Sequence, residues 1–191
     1  MNNAHRVVSS EAEELILVDP DDNEIGYLSK ADCHEGEGVL HRAFSLFLFN
    51  EDGQLLLQQR SAGKRLWPGY WSNSICSHPR RGETMAIATE RRLQDELNIH
   101  CELEFVYKFT YQAGFGDAGS EHELCHVFLG RSPVEIHPNE SEISATRFIS
   151  PGDLDQELEE QPDTLTPWFK LEWGTLLRKH REQLTGYAAL D

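Results

Sequence analysis

The near-continuous apolar run Phe44-Ser45-Leu46-Phe47-Leu48-Phe49 constrains this chain most. It is far short of the ~20 residues needed to span a bilayer, and it suits a buried strand. That strand is expected over residues 42–49, joined through Asn50-Glu51-Asp52-Gly53 to a second over 54–60, a hairpin signal. Residues 14–19 and 24–28 flank Pro20-Asp21-Asp22-Asn23 and read as another hairpin, and 61–70 reads as a loop around Pro68-Gly69. Residues 84–97 read as a helix with Ala86, Leu93 and Leu97 on one face. Two further strands, 103–111 and 122–130, are separated by a Gly-rich turn, and a short one covers 144–149. Ser150-Pro151-Gly152-Asp153 caps a helix, and Thr166-Pro167 opens a last one reaching about Leu184. Strands dominate the first three quarters, which predicts a layered α+β domain and not a doubly wound parallel one. The 191 residues show no repeat, low-complexity tract or linker, so one domain over 1–191 is expected. A chain this long buries a core without disulfides.

The net charge of −16 excludes general binding to nucleic acid or anionic membranes. Charge is uneven, however. Residues 60–92 hold seven basic side chains against two acidic ones, whereas 135–163 hold nine acids against Arg147 alone. The basic stretch reads either as solvated surface or as a local site for a small anion such as a phosphate ester, and the acidic stretch as mostly solvated surface. Cys33, Cys76, Cys101 and Cys125 form no C-x-x-C pair, and MNNAHRVVSSEAEE has no apolar leader core. Reduced thiols in a cytoplasmic protein are expected.

Several residues are candidates for chemistry. His34 and His41 alone prove little. In Ser74-Ile75-Cys76-Ser77-His78, extended backbone puts Cys76 and His78 on one side. A cysteine there is a nucleophile, a metal ligand, an acid/base or an inert buried thiol. In Ser120-Glu121-His122-Glu123-Leu124, the same period pairs Glu121 with Glu123, and such a pair facing a core needs a cation or a shared proton. Three histidines and two carboxylates of this kind can build a site for a divalent transition ion. His122 and His126 are expected to point elsewhere, as surface or packing residues.

From Ser77 the sequence continues with five residues, Glu83, seven residues, then Arg91-Arg92-Leu93-Gln94-Asp95-Glu96-Leu97-Asn98-Ile99. This resembles the Nudix box G-x5-E-x7-R-E-U-x-E-E-x-G-U (U, bulky apolar). Ser77, Arg92, Asp95 and Asn98 replace Gly, Glu, Glu and Gly, while Glu83, Arg91, Leu93, Glu96 and Ile99 are retained. Arg92 in place of a carboxylate argues against pyrophosphate hydrolysis. Further blocks are His34-x6-His41-Arg42-Ala43-Phe44-Ser45, Gln58-Gln59-Arg60-Ser61-x2-Lys64, Trp67-Pro68-Gly69, Trp71-Ser72-Asn73-Ser74-Ile75-Cys76-Ser77-His78-Pro79, Glu121-His122-Glu123 and Thr166-Pro167-Trp168. In this order and spacing, the chain resembles the type I isopentenyl-diphosphate isomerases of the Nudix superfamily from Ile16 to Trp173.

The resemblance implies an α/β/α sandwich with a mixed sheet, a Nudix core over about 41–150, and N-terminal hairpin and C-terminal helices as additions. It implies an isomerase that interconverts isopentenyl and dimethylallyl diphosphate in isoprenoid biosynthesis. Cys76 and Glu123 match the acid/base pair, Tyr111 a support for Glu123, and Trp168 an aromatic facing a cation. Lys30, Arg60, Lys64 and Arg92 match the diphosphate-binding set. His34, His41, His78, Glu121 and Glu123 match a site for one divalent ion (Mn²⁺, Mg²⁺ or Zn²⁺), and Glu96 matches the ligand of a second Mg²⁺ brought by the diphosphate. The implied partner is this small substrate alone, bound by a monomer, with no nucleic acid or membrane. Two other readings are open to the same residues: a Nudix pyrophosphohydrolase, marked by phosphate release from nucleotides, and a silent Nudix-like binding domain, marked by binding without turnover.

Overall fold

The computed structural model describes residues 6–133 and 135–190; the first five residues of the segment read as lacking a leader core lie outside them. Strand β3 (His41–Phe49) is the axis of a nine-stranded mixed sheet. It is buried on both faces, which explains its unbroken apolar run. Ala43, Phe47 and Phe49 face one layer, and Phe44, Leu46 and Leu48 face the other.

One edge of β3 runs parallel to β8 (Ser120–Arg131), with His41 opposite Glu123 and Phe49 opposite Arg131. The other edge meets three strands in turn. These are β1 (Glu14–Val18) at Leu17↔His41, β6 (Ile75–Ser77) at Ser45↔Cys76, and β4 (Leu55–Arg60) at Phe49↔Leu55. Strand β2 (Glu24–Ser29) completes the N-terminal hairpin, and β5 (Trp71–Ser72) pairs with β4. Strand β7 (Leu103–Gly114) pairs with β8, and β9 (Ile143–Ile149) with β4.

Helix α1 (Lys30–Cys33) is one turn capped by Ser29. Helix α2 (Met85–Arg92), capped by Thr84, covers the Phe44 face. Helices α3 (Pro151–Glu160) and α4 (Pro167–Lys179) cover the other face with Leu154, Trp168, Phe169, Trp173 and Leu176, and α5 (Arg181–Thr185) adds Leu184. The expected layered fold is therefore present, with helices on both sides of a mixed sheet. The expected cap at Ser150 forms, its side chain accepting the Asp153 N–H, and Thr84 caps α2 in the same way by accepting the Ile87 N–H.

Two expectations for the helices change. The helix over 84–97 is α-helical only to Arg92; Leu93–Leu97 is a π-helical turn. The wider turn brings Arg92 and Glu96 inward beside Leu93 and Leu97, while Ala86 is exposed and Ala88 lies in the core. The turn ends at Asn98 with φ +55°, so Asn takes the left-handed cap that glycine holds in the box. The last helix breaks at His180 (φ −129°, ψ 28°), whose ring stacks on Tyr107 at 4.7 Å between centroids.

Candidate active site

Three adjacent strands put His41, Glu123 and Tyr111 in one row, since Glu123 is opposite His41 on β3 and opposite Tyr111 on β7. Glu121 points the same way from β8, His78 follows β6, and His34 caps α1. The ligand atoms of His34, His41, His78, Glu121 and Glu123 lie within 4.8 Å of one another. His34 Nδ1 is 2.7 Å from the Lys30 carbonyl and His41 Nδ1 is 2.7 Å from that of Val39, so each ring presents Nε2 to the cluster. His41 Nε2 is buried with no hydrogen-bond partner, the state of a lone pair shaped to bind a cation. Burial and the neighbouring His34 bring His41 down to about 4, and burial with His41 and His34 holds His78 well below its ordinary range, so both are neutral as ligands must be. The five side chains are arranged to hold a metal ion. His122 and His126 point away, His122 Nδ1 lying 3.3 Å from the Gly38 carbonyl and His126 Nε2 2.9 Å from Asp22.

The two carboxylates are differentiated. Burial and Glu121 push Glu123 well above the usual carboxylate range. Burial also acts on Glu121, but His34 at 2.8 Å prevails and holds it well below. Such a pair keeps one proton, and it sits on Glu123. The Tyr111 hydroxyl donates to Glu123 Oε2 at 2.7 Å, and His78 Nε2 lies 2.7 Å from Oε1.

His34 is placed by a close approach of backbone. Ser120 N donates to its carbonyl at 3.0 Å, and a Cβ on Gly119 (φ +127°) would stand 2.1 Å from the same oxygen. Gly119→Ala should therefore push the His34 turn off β8. Its metal affinity, measured by competition with a chelating dye, should fall about 10–100-fold; an unchanged affinity would contradict this placement.

Cys76 enters from β6, on the opposite side of β3 from Glu123, and both line one cavity of about 260 Å³. Leu66, Tyr111 and Trp168 line the same cavity. Burial pushes the Cys76 thiol up to about 11 despite the opposing pull of Arg60, so it is protonated at neutral pH. Arg60 is bound by backbone: Nε and Nη2 donate to Leu66 O (3.2 and 2.8 Å), and Nε also to Trp67 O (3.1 Å). Its Nη1 lies 3.6 Å from Cys76 Sγ, and its guanidinium carbon is 5.1 Å from the Trp168 ring centroid. Trp67 has φ +46°, a strained backbone for a bulky residue, in the loop that aims these carbonyls. Trp168 is fixed by its indole N–H to Ser72 Oγ at 3.0 Å. Ser77 pairs regularly with Phe44 and needs no left-handed backbone, so serine fits where the box has glycine.

The basic stretch divides. Arg91 grips Glu83 (2.7 and 2.8 Å) and the His78 carbonyl (3.2 Å), stapling the β6 exit to α2, and Arg80 pairs with Glu13. Lys64 and Arg92 line the cavity with Lys30, whose Nζ is 2.6 Å from Ser9 Oγ. Glu96 lies behind Arg92, off the cavity wall, with its Oε1 2.6 Å from Arg92 Nη2.

Three side chains at the site went unread in the sequence. Ser72 is an ordinary polar residue between Trp71 and Asn73. Glu142 sits in the acidic stretch read as mostly solvated, yet it is buried against Lys64 and Arg92. Glu172 follows Trp168 by one helical turn, is fully buried, and accepts from the Cys125 thiol at 3.4 Å. Burial raises Glu172 from 4.5 to about 8. The folded chain thus keeps a proton that the unfolded chain releases between these values, and stability should fall by about 1.4 kcal/mol per pH unit across that window. Glu172→Gln should remove this contribution, so the gap between wild-type and variant urea midpoints should change steadily from pH 5 to 8; a gap independent of pH would contradict the reading.

A NUDIX domain model matches residues 39–169. Among solved structures, a Deinococcus radiodurans protein superposes with TM-score 0.65 and 25% identity over 78% of this chain and 90% of that one. The MutT protein of Methanosarcina mazei, at 18% identity and TM-score 0.59, covers 75% and 95% and shares the fold. Fold and cluster together define a NUDIX-domain protein with a His/Glu group that could hold a metal ion. The isopentenyl-diphosphate Delta-isomerase 1 of Photorhabdus laumondii is 44% identical over 90% of this chain and 99% of its own. That of Burkholderia multivorans is 43% identical over 82% and 89%. The chain belongs to the isopentenyl-diphosphate Delta-isomerase family.

Proposed function

We propose that this protein interconverts isopentenyl diphosphate and dimethylallyl diphosphate, the step that supplies both five-carbon units of isoprenoid biosynthesis. The observation that carries the reading is the placement of a thiol, Cys76, and a carboxyl, Glu123, on either side of β3 in one cavity. The alkene is unactivated, so its terminal carbon must be protonated to a tertiary cation-like species, and a second group must remove a proton from the carbon nearer the diphosphate. One of Cys76 and Glu123 starts protonated and gives its proton to the alkene, the other starts ionised and takes the proton removed, and the two exchange roles when the reaction runs backwards. Tyr111 holds the carboxyl of Glu123 in place through its 2.7 Å hydrogen bond. The buried face of Trp168 stabilises the cation by ~2 kcal/mol or more.

Lys30, Arg60, Lys64 and Arg92 are the cations for the diphosphate, and Glu96, which lies behind Arg92 and must swing clear of it to reach the cavity, is the carboxylate for the Mg²⁺ it carries. A divalent ion held by His34, His41, His78, Glu121 and Glu123 supplies Lewis acidity that sharpens a carboxyl proton. Three imidazoles favour Mn²⁺ or Zn²⁺, and the carboxylates also admit Mg²⁺. Among the described residues no helix is long and apolar enough to cross a membrane, and the four cysteines are unpaired. We place the reaction in the cytoplasm, where thiols stay reduced. The exposed large apolar side chains, such as Ile25, Ile87, Phe105 and Leu171, are scattered over separate elements, which fits a monomer.

Incubation with isopentenyl diphosphate should yield an acid-labile allylic diphosphate, and Cys76→Ala should abolish it. Phosphate release from nucleotides in place of isomerisation, or undiminished turnover by Cys76→Ala, would overturn the proposal.

A further inference from the structure

Glu142 is the unassigned charge at the diphosphate end of the cavity. Its carboxylate is buried on the cavity wall, pairs with Lys64, and accepts from Arg92 Nη2 at 3.0 Å. Arg92 in turn donates from Nε to Glu96 at 2.7 Å. The turn carrying Glu142 is tied down, since Ser61 N donates to its carbonyl, and Asn139 N to that of Glu96. Burial acts to raise Glu142, but Lys64 and Arg92 prevail and bring it down to about 2, so it is ionised at neutral pH. Lys64, Glu142, Arg92 and Glu96 form a chain of two cations alternating with two carboxylates. The charge of Lys64 and Arg92 is therefore already neutralised before any ligand arrives.

A free diphosphate ester reaching for the Lys64 and Arg92 donors meets the Glu142 carboxylate on the same atoms, and the repulsion is strong in a buried site. A diphosphate carrying Mg²⁺ or Mn²⁺ brings two positive charges with it, and a nearby carboxylate then favours its entry. We propose that Glu142 is the specificity-determining residue that makes this cavity select the metal complex of a diphosphate over the free anion. The proposal rests on the reading that this end of the cavity receives the diphosphate.

The test is calorimetric titration of the full chain with inorganic pyrophosphate, once in excess Mg²⁺ and once in EDTA, reading the ratio of the two affinities on each protein. Because a ratio is read, partial loss of folded protein cancels. The wild type should prefer the Mg²⁺ complex by at least tenfold. Glu142→Gln should bind free pyrophosphate at least tenfold more tightly than the wild type and lose most of that preference. An unchanged ratio in Glu142→Gln overturns the proposal. So does a wild type that isomerises isopentenyl diphosphate yet binds both pyrophosphate forms equally, a result that leaves the isomerase reading standing. Absence of both isomerisation and pyrophosphate binding overturns the two together.

Discussion

Glu123→Gln is expected to lower turnover of isopentenyl diphosphate by about 10⁴-fold, the upper range for loss of an acid/base group. The amide keeps the shape of the carboxyl and can still accept the Tyr111 hydrogen bond, formed at 2.7 Å in the wild type. It cannot pass a proton, and it is a poorer partner for a cation beside Glu121. Lys30, Lys64 and Arg92 make no hydrogen bond to Glu123 and are unchanged by the substitution, so KM should change less than tenfold. Tyr111→Phe is the graded control: it removes one O–H and leaves the carboxyl, so it should cost far less than Glu123→Gln. Steady-state kinetics on the three proteins check this. Turnover by Glu123→Gln within tenfold of the wild type would remove Glu123 from the chemistry.

The second large effect is on stability. Trp173 is fully buried under the sheet on α4, and its indole N–H reaches Asp155 Oδ1 on α3 at 2.9 Å. Trp173→Ala leaves a cavity between Phe169, Leu176 and the Phe47 face, and should cost about 3–5 kcal/mol. For a chain of 191 residues each kcal/mol moves the melting temperature by about 2–4 °C, so a drop on the order of 10 °C is expected. Leu171, half exposed on the same helix, is the control, and Leu171→Ala should stay within about 0.5 kcal/mol. Equal melting temperatures for the two variants would mean that α4 does not seal the core. Because α4 also carries Trp168, which lines the cavity, its docking holds one wall of the site.

What local pattern could show, it showed. Two-residue alternation put Glu121 with Glu123 and turned His122 away, and β8 runs accordingly. Box spacing picked out Glu83 and Arg91, which pair through two hydrogen bonds. The residues that went unread depend on contacts distant in sequence. Glu142 is one of nine acids in its stretch, and only the approach of Lys64, 78 residues away, marks it as internal. The fold brings Arg60 to Cys76 as well as to the cavity, because a strained loop at Trp67 takes its other donors, and no spacing encodes that loop. The π-helical turn at Leu93–Leu97 is equally silent, since an inserted residue disturbs the helical period by less than the period's own scatter in so short a segment.

The most direct measurement is to incubate the protein with isopentenyl diphosphate and Mg²⁺ in deuterated water and follow the products by NMR. A thiol and a carboxyl that deliver and remove protons across one cavity must place solvent deuterium on the terminal methyl of dimethylallyl diphosphate and, on the reverse pass, in the recovered substrate. Unlabelled substrate returned intact, or inorganic phosphate released with the double bond unmoved, would contradict the account.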